Sequence, residues 1–194
     1  MTKTFFIVPG FKQKPTAKSF SWLEEFLSRR GFTVIIVPIK WERKTMPDWV
    51  EELVAVYNTS KTEINYILGF SYGAVITFLA ANILRPKKIY LCSLSPDFQE
   101  DIPVMKKWIK VYIGKRRLKA ANSINARDIA KELKIPSVVF YGEGEGGQYP
   151  QLKIRCEETT KLARRSRLVV VKNAPHDLSC TNYQEAIKAE LKKL

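Results

Sequence analysis

The sequence predicts a three-layer α/β/α domain built on a doubly wound, mostly parallel six-stranded sheet, and three observations lead there. Six short runs rich in β-branched and aromatic residues recur along the chain, at 5–8, 33–37, 65–68, 88–93, 137–141 and 168–171. Their apolar character is unbroken, which suits strands covered on both faces, as in a parallel sheet. Apolar stripes at helical spacing alternate with them, and strand alternating with helix implies right-handed crossovers and helices on both faces. At 194 residues the chain fits a single domain, 1–194, with one sizeable core.

Each element has its own signal. The first strand stops at Pro9-Gly10, a turn pair, and the first helical stripe is Phe20, Leu23, Phe26 and Leu27. Trp49, Leu53, Val56 and Tyr57 make the second stripe, between the second and third strands. The third strand runs straight into Gly69-Phe70-Ser71-Tyr72-Gly73, after which Val75, Phe78, Leu79 and Ile83 begin a helix. Between the fourth and fifth strands lies the longest connection, and residues 96–133 read as a small cap or lid insertion, since connections of that length usually carry function. Within it Met105, Trp108, Ile109, Tyr112 and Ile113 repeat at helical spacing beside Lys106, Lys107 and Lys110. Three readings stay open for this helix: a lid, a membrane-touching helix, or a covering helix whose aromatics join the core. The string Tyr141-Gly142-Glu143-Gly144-Glu145-Gly146-Gly147 reads as a flexible, tight loop, and Ala186, Ile187 and Leu191 mark a closing helix.

Composition excludes several classes. With 45% apolar residues and no repeated or low-complexity tract, disorder is a poor reading. The apolar runs are too short for a signal-peptide core or a bilayer span, so a soluble, cytoplasmic protein is expected. Cys92, Cys156 and Cys180 are odd in number and form no CxxC or Cys/His pattern, which suggests reduced thiols and no metal or other cofactor. Thirty-three Lys+Arg against 19 Asp+Glu leave a net charge of +14. Such a field attracts polyanions, anionic membranes or acidic partners without choosing among them. Its two dense groups, Lys106 to Lys119 and Lys161 to Arg167, read as solvated helix faces. No nucleic-acid recognition motif accompanies them, so weak association with anionic surfaces is expected, but no specific nucleic acid.

The chemistry concentrates at the carboxyl edge of the sheet. In the G-x-S-x-G turn the glycines relieve crowding and hold the Ser71 hydroxyl above the strands, while the helix N-terminus supplies the free N–H of Tyr72 for a developing oxyanion. The competing role for Ser71 is an ordinary helix N-cap. A serine needs a base, and the chain holds one histidine, His176, in a loop after the sixth strand, where a base can reach it. A carboxylate should orient that imidazole. The candidates are Glu143 and Glu145 after the fifth strand, with Asp97 after the fourth as the alternative acid. Asp177 adjoins His176 and is poorly placed to orient it. Phe11, in the turn Pro9-Gly10-Phe11-Lys12, is the natural second oxyanion donor.

The order strand, Gly-aromatic turn, strand, elbow serine, acid loop and late histidine resembles the α/β-hydrolase superfamily over nearly the whole chain. The resemblance implies a minimal member lacking the family's first two strands. It implies Ser71 as nucleophile, His176 as base, Phe11 and Tyr72 as oxyanion donors, and Glu145 as acid, where an aspartate is usual. Pro9 and Phe70 stand where the family often has histidines. The activity implied is acyl transfer to water from a small carboxylic ester or thioester. The rival is a catalytically silent domain of this fold that binds an acidic partner or nucleic acid through its basic surface.

Overall fold

A computed structural model describes residues 1–194. Its strands are β1 (Lys3–Val8), β2 (Thr33–Ile36), β3 (Ile64–Phe70), β4 (Lys88–Cys92), β5 (Ser137–Gly142) and β6 (Ser166–Val171). They form one sheet in the order β2-β1-β3-β4-β5-β6, and every pairing is parallel. The expected sheet is therefore wholly rather than mostly parallel. The chain winds outward from β1 to β2 and then back across through β3 to β6. The winding reverses between β1 and β3, and ligands in open α/β sheets sit outside the strand carboxyl ends at such a point.

Side chains alternate across each strand, and this divides the core in two. Phe5, Ile7, Tyr66, Leu68 and Tyr90 pack with Phe20, Leu23 and Leu27 of α1 (Lys18–Ser28) and with Tyr183, Ile187 and Leu191 of α9 (Thr181–Leu191). Phe6, Val8, Ile67, Ile89 and Leu91 face the other way, toward α2 (Met46–Ser60) and α3 (Tyr72–Leu84). The start of α2 follows from its sequence. Asp48 reaches back to accept from the Thr45 N–H at 2.7 Å and hydroxyl at 2.8 Å, and Pro47 sits in the first turn, where a missing N–H is harmless. Trp49, Leu53 and Tyr57 then fall on one face and are buried, each contributing on the order of 2 kcal/mol.

The connection from β4 to β5 carries three short helices, α4 (Lys107–Ile113), α5 (Lys115–Ala121) and α6 (Ala126–Glu132). Here one of the three readings of the lysine-rich helix fails, that of a covering helix. Trp108, Val111 and Tyr112 are 61%, 74% and 60% exposed, so the α4 aromatics do not join the core. The seven-residue helix rests against α5, and only Ile113 of its stripe is buried. The glycine-rich string is also not a flexible loop. It forms α7 (Glu143–Gln148), followed by α8 (Pro150–Leu162), whose apolar stripe is weak enough to escape a reading by periodicity. A Cβ on Gly142 would stand 2.2 Å from the Ala174 carbonyl oxygen, so glycine here permits close approach rather than mobility. No helix is long and apolar enough to cross a membrane.

Candidate active site

The elbow between β3 and α3 sets the geometry. Ser71 has φ 55° and ψ −119°, a conformation that non-glycine residues adopt only when their surroundings impose it. The surroundings are close. The Ser71 N–H donates to the Cys92 carbonyl at 2.9 Å, and a Cβ on Gly73 would lie 2.1 Å from the Val8 carbonyl oxygen. The Ser71 side chain makes no capping hydrogen bond to α3, which counts against the N-cap role. Its Oγ instead lies 3.2 Å from His176 Nε2 and 3.2 Å from Ser95 Oγ.

His176 stands in the turn after β6, with its ring against Phe70 at 4.8 Å between centroids. Its Nδ1 lies 2.6 Å from Glu145 Oε2. Glu145 is fully buried, and its other oxygen accepts from the Gly142 N–H at 2.5 Å, the Ser93 hydroxyl at 2.8 Å and the Tyr183 hydroxyl at 3.4 Å. The remaining acids go elsewhere. Glu143 is exposed and accepts from the Asn173 N–H at 3.3 Å. Asp177 accepts from the Ser179 N–H and hydroxyl in the turn beyond the imidazole. Asp97 makes no hydrogen bond to His176; it accepts from the Tyr72 hydroxyl at 3.3 Å. Burial pushes the Asp97 carboxyl up to about 7, and burial first, with Asp97 beside it, keeps the Tyr72 phenol protonated.

Phe11 and Tyr72 meet, with ring centroids 5.1 Å apart. A Cβ on Gly10 would lie 3.3 Å from Ser71 Cβ, so the turn after β1 abuts the elbow. The Phe11 and Tyr72 N–H groups make no hydrogen bond within the chain. Beside Ser71 and His176 opens a cavity of about 600 Å³ whose walls include Tyr72, Asp97, Trp108, Tyr112 and Tyr149. No three His, Cys, Asp or Glu side chains converge in a way that would hold a metal ion. Burial raises the Cys92 and Cys156 thiols, which leaves them poor nucleophiles.

Est1E from Butyrivibrio proteoclasticus, solved with ferulic acid bound, superposes with a TM-score of 0.79 at 17% identity, over 98% of this chain and 87% of that one. Mouse alpha/beta hydrolase domain-containing protein 10 gives 0.80 at 10% identity over 98% and 88%. A carboxylesterase of the thaumarchaeon Nitrososphaera gargenis gives 0.78 at 12% over 99% and 89%. The chain has the α/β-hydrolase fold. No family model and no curated protein matches the sequence.

In this α/β-hydrolase fold four carboxyl-edge segments bring Ser71, His176, Glu145, Phe11 and Tyr72 together, and Asp97 lies in the cavity wall instead. Reading the sequence missed Ser93, Tyr183, Ser95 and Tyr149. Ser93 and Ser95 carried a signal, since both flank the end of a strand that points at the site. Ser93 also holds φ 56°, as Lys12, Ser71 and Asn173 hold positive φ at the same edge, and its hydroxyl meets Glu145 at 2.8 Å. Tyr183 sits on the far helix α9 and carried none.

Proposed function

We propose that this protein is a serine hydrolase that cleaves a small carboxylic ester or thioester through an acyl-enzyme. The observation that carries the proposal is the continuous hydrogen-bonded line from Ser71 Oγ through His176 to Glu145, at 3.2 and 2.6 Å. In that line the imidazole donates from Nδ1 to Glu145, which leaves Nε2 to accept the serine proton. Ser71 Oγ attacks the carbonyl carbon while His176 takes its proton, and the Phe11 and Tyr72 N–H groups receive the oxyanion. His176 then protonates the leaving alcohol or thiol as the tetrahedral adduct collapses. Water, deprotonated by His176, attacks the acyl-enzyme, and the acid departs as Ser71 regains its proton. Proteins of the same fold described as a lipase-esterase related protein and as a carboxylesterase add support. The three unpaired cysteines support a reducing compartment such as the cytoplasm.

A fluorophosphonate, which phosphonylates activated serines, tests this. Stoichiometric labelling is expected, abolished by Ser71→Ala and greatly slowed by His176→Ala. Undiminished labelling of Ser71→Ala would overturn the assignment, and no labelling of the wild type would favour the silent, partner-binding alternative. A second reading concerns α4. Its exposed Trp108, Val111 and Tyr112 beside Lys106, Lys107 and Lys110 support contact with an anionic surface at the mouth of the cavity.

A further inference from the structure

The cavity beside the line of Ser71, His176 and Glu145 holds two acids that the hydrolytic chemistry does not use, Asp97 and Asp101. Asp97 is 7% exposed and lines that cavity. Its Oδ1 accepts from the Tyr72 hydroxyl at 3.3 Å, while Oδ2 has no hydrogen-bond partner in the chain. The other acid of the cavity is occupied, since Asp101 is bound twice by Arg155, at 2.6 and 3.1 Å. An apolar ligand filling the cavity would strip Asp97 of water and offer nothing in return, a penalty that a hydroxyl donor removes.

We propose that Asp97, held by Tyr72, is a specificity residue that selects uncharged esters bearing a hydroxyl on the ring or chain buried in this cavity. The substrate class follows from three contrasts and rests on the hydrolase reading above. An anionic group would meet the carboxyl of Asp97. A cationic group would have to pass a mouth carrying Lys106, which itself lines the cavity, with Lys107 and Lys110 beside it, on a chain of net charge +14. A wholly apolar group leaves Asp97 unpaired. Trp108, Tyr112 and Tyr149 supply flat apolar walls, so an aromatic ring with a hydroxyl at its far end satisfies both the walls and the acid. Burial raises the Asp97 carboxyl, so pairing it with a hydroxyl in this cavity offsets a real desolvation cost.

The test compares matched esters on each variant, so that the active fraction cancels within each ratio. Methyl para-hydroxyphenylpropanoate is set against methyl phenylpropanoate, and para-hydroxyphenethyl acetate against phenethyl acetate, so that either side of the ester can enter the cavity. In at least one pair the wild type should favour the hydroxylated ester roughly tenfold to a hundredfold in kcat/KM. Asp97→Leu should erase or invert that preference, and Asp97→Asn, which keeps an acceptor, should retain part of it. A para-aminomethyl ester, cationic at neutral pH, should fall below the hydroxylated one. Equal rates within both wild-type pairs, a preference that survives Asp97→Leu, or a winning cationic ester would each overturn the proposal. Fluorophosphonate labelling on the same samples separates the two readings. If Ser71 does not label, calorimetric binding of para-hydroxyphenethyl alcohol against phenethyl alcohol still decides the role of Asp97: a wild-type preference lost in Asp97→Leu supports it, and equal binding overturns it.

Discussion

Glu145 reaches its position through contacts from three different elements, namely the Gly142 N–H at its own helix start, Ser93 after β4 and Tyr183 on α9. Under the proposed mechanism such a fixed carboxylate would hold the imidazole in one tautomer, so its replacement by an amide should act on turnover rather than on binding. Glu145→Gln should lower kcat at least about a hundredfold, whereas Glu143→Gln, altering an exposed side chain, should change it little. Equal losses from the two would remove Glu145 from the orienting role. Asp97 gives a different residue-scale prediction. Its carboxyl is raised from 3.8 to about 7 by burial, so the folded chain keeps a proton that the unfolded chain releases. The contribution of this group to stability is therefore full below the unfolded value and is lost as pH rises through the folded one. Asp97→Asn cannot ionise, and its melting temperature relative to wild type should improve between about pH 5 and pH 8. A constant difference across that range would count against the burial of Asp97.

Among the elements, the segment between β4 and α4 needs anchoring because it turns away from the sheet to build the cavity wall. Two acids supply the anchors. Glu100 accepts from the Ala126 and Arg127 N–H groups at the start of α6, at 3.1 and 2.9 Å. Asp101 pairs with Arg155 of α8, both almost wholly buried, and Arg155 also holds Glu158 at 2.8 Å. Removing one member of such a pair leaves the other charge buried and alone. Arg155→Ala should therefore destabilise the chain by roughly 3–5 kcal/mol, a fall in melting temperature of roughly 6–20 °C at this length. A melting temperature unchanged by Arg155→Ala would show that the pair does not anchor the segment. The basic cluster of α5 is likewise partly structural. Arg117 donates to the Trp41 and Lys44 carbonyls at 2.9 and 3.0 Å and lies over the Phe11 ring at 4.9 Å, so it ties α5 to the turn beside the elbow rather than to solvent.

For the molecule as a whole, the proposed contact of α4 with an anionic surface would draw on the net charge of +14 together with the exposed apolar side chains of that helix. Near an anionic bilayer each basic residue contributes about 1 kcal/mol of attraction. Added vesicles containing anionic lipid should therefore raise turnover of an insoluble ester, and neutral vesicles should do less. Salt at about 1 M, where the Debye length is roughly 3 Å, should weaken the effect. Trp108→Ala should lose the activation without a change in melting temperature, because that ring is 61% exposed. Activation that persists in Trp108→Ala would take α4 out of the contact.

The sequence by itself determined the layers, the six strands and the places where chemistry could gather, because burial on both faces writes continuous apolar runs and a sharp strand-to-helix turn requires small residues on either side of Ser71. Spacing along the chain also left Glu143, Glu145 and Asp97 as rival acids, since all three follow strands that end at the same edge. Only the tertiary structure separated them. Which carboxylate meets His176 depends on the close seating of Gly142 against Ala174 and on hydroxyls from β4 and α9, contacts between segments distant in sequence. The exposure of α4 was equally undecided, because an apolar stripe records that a face seeks cover and not what covers it. In this fold the sheet was already covered by α2, α3 and α8, and the α4 stripe was left to line the cavity.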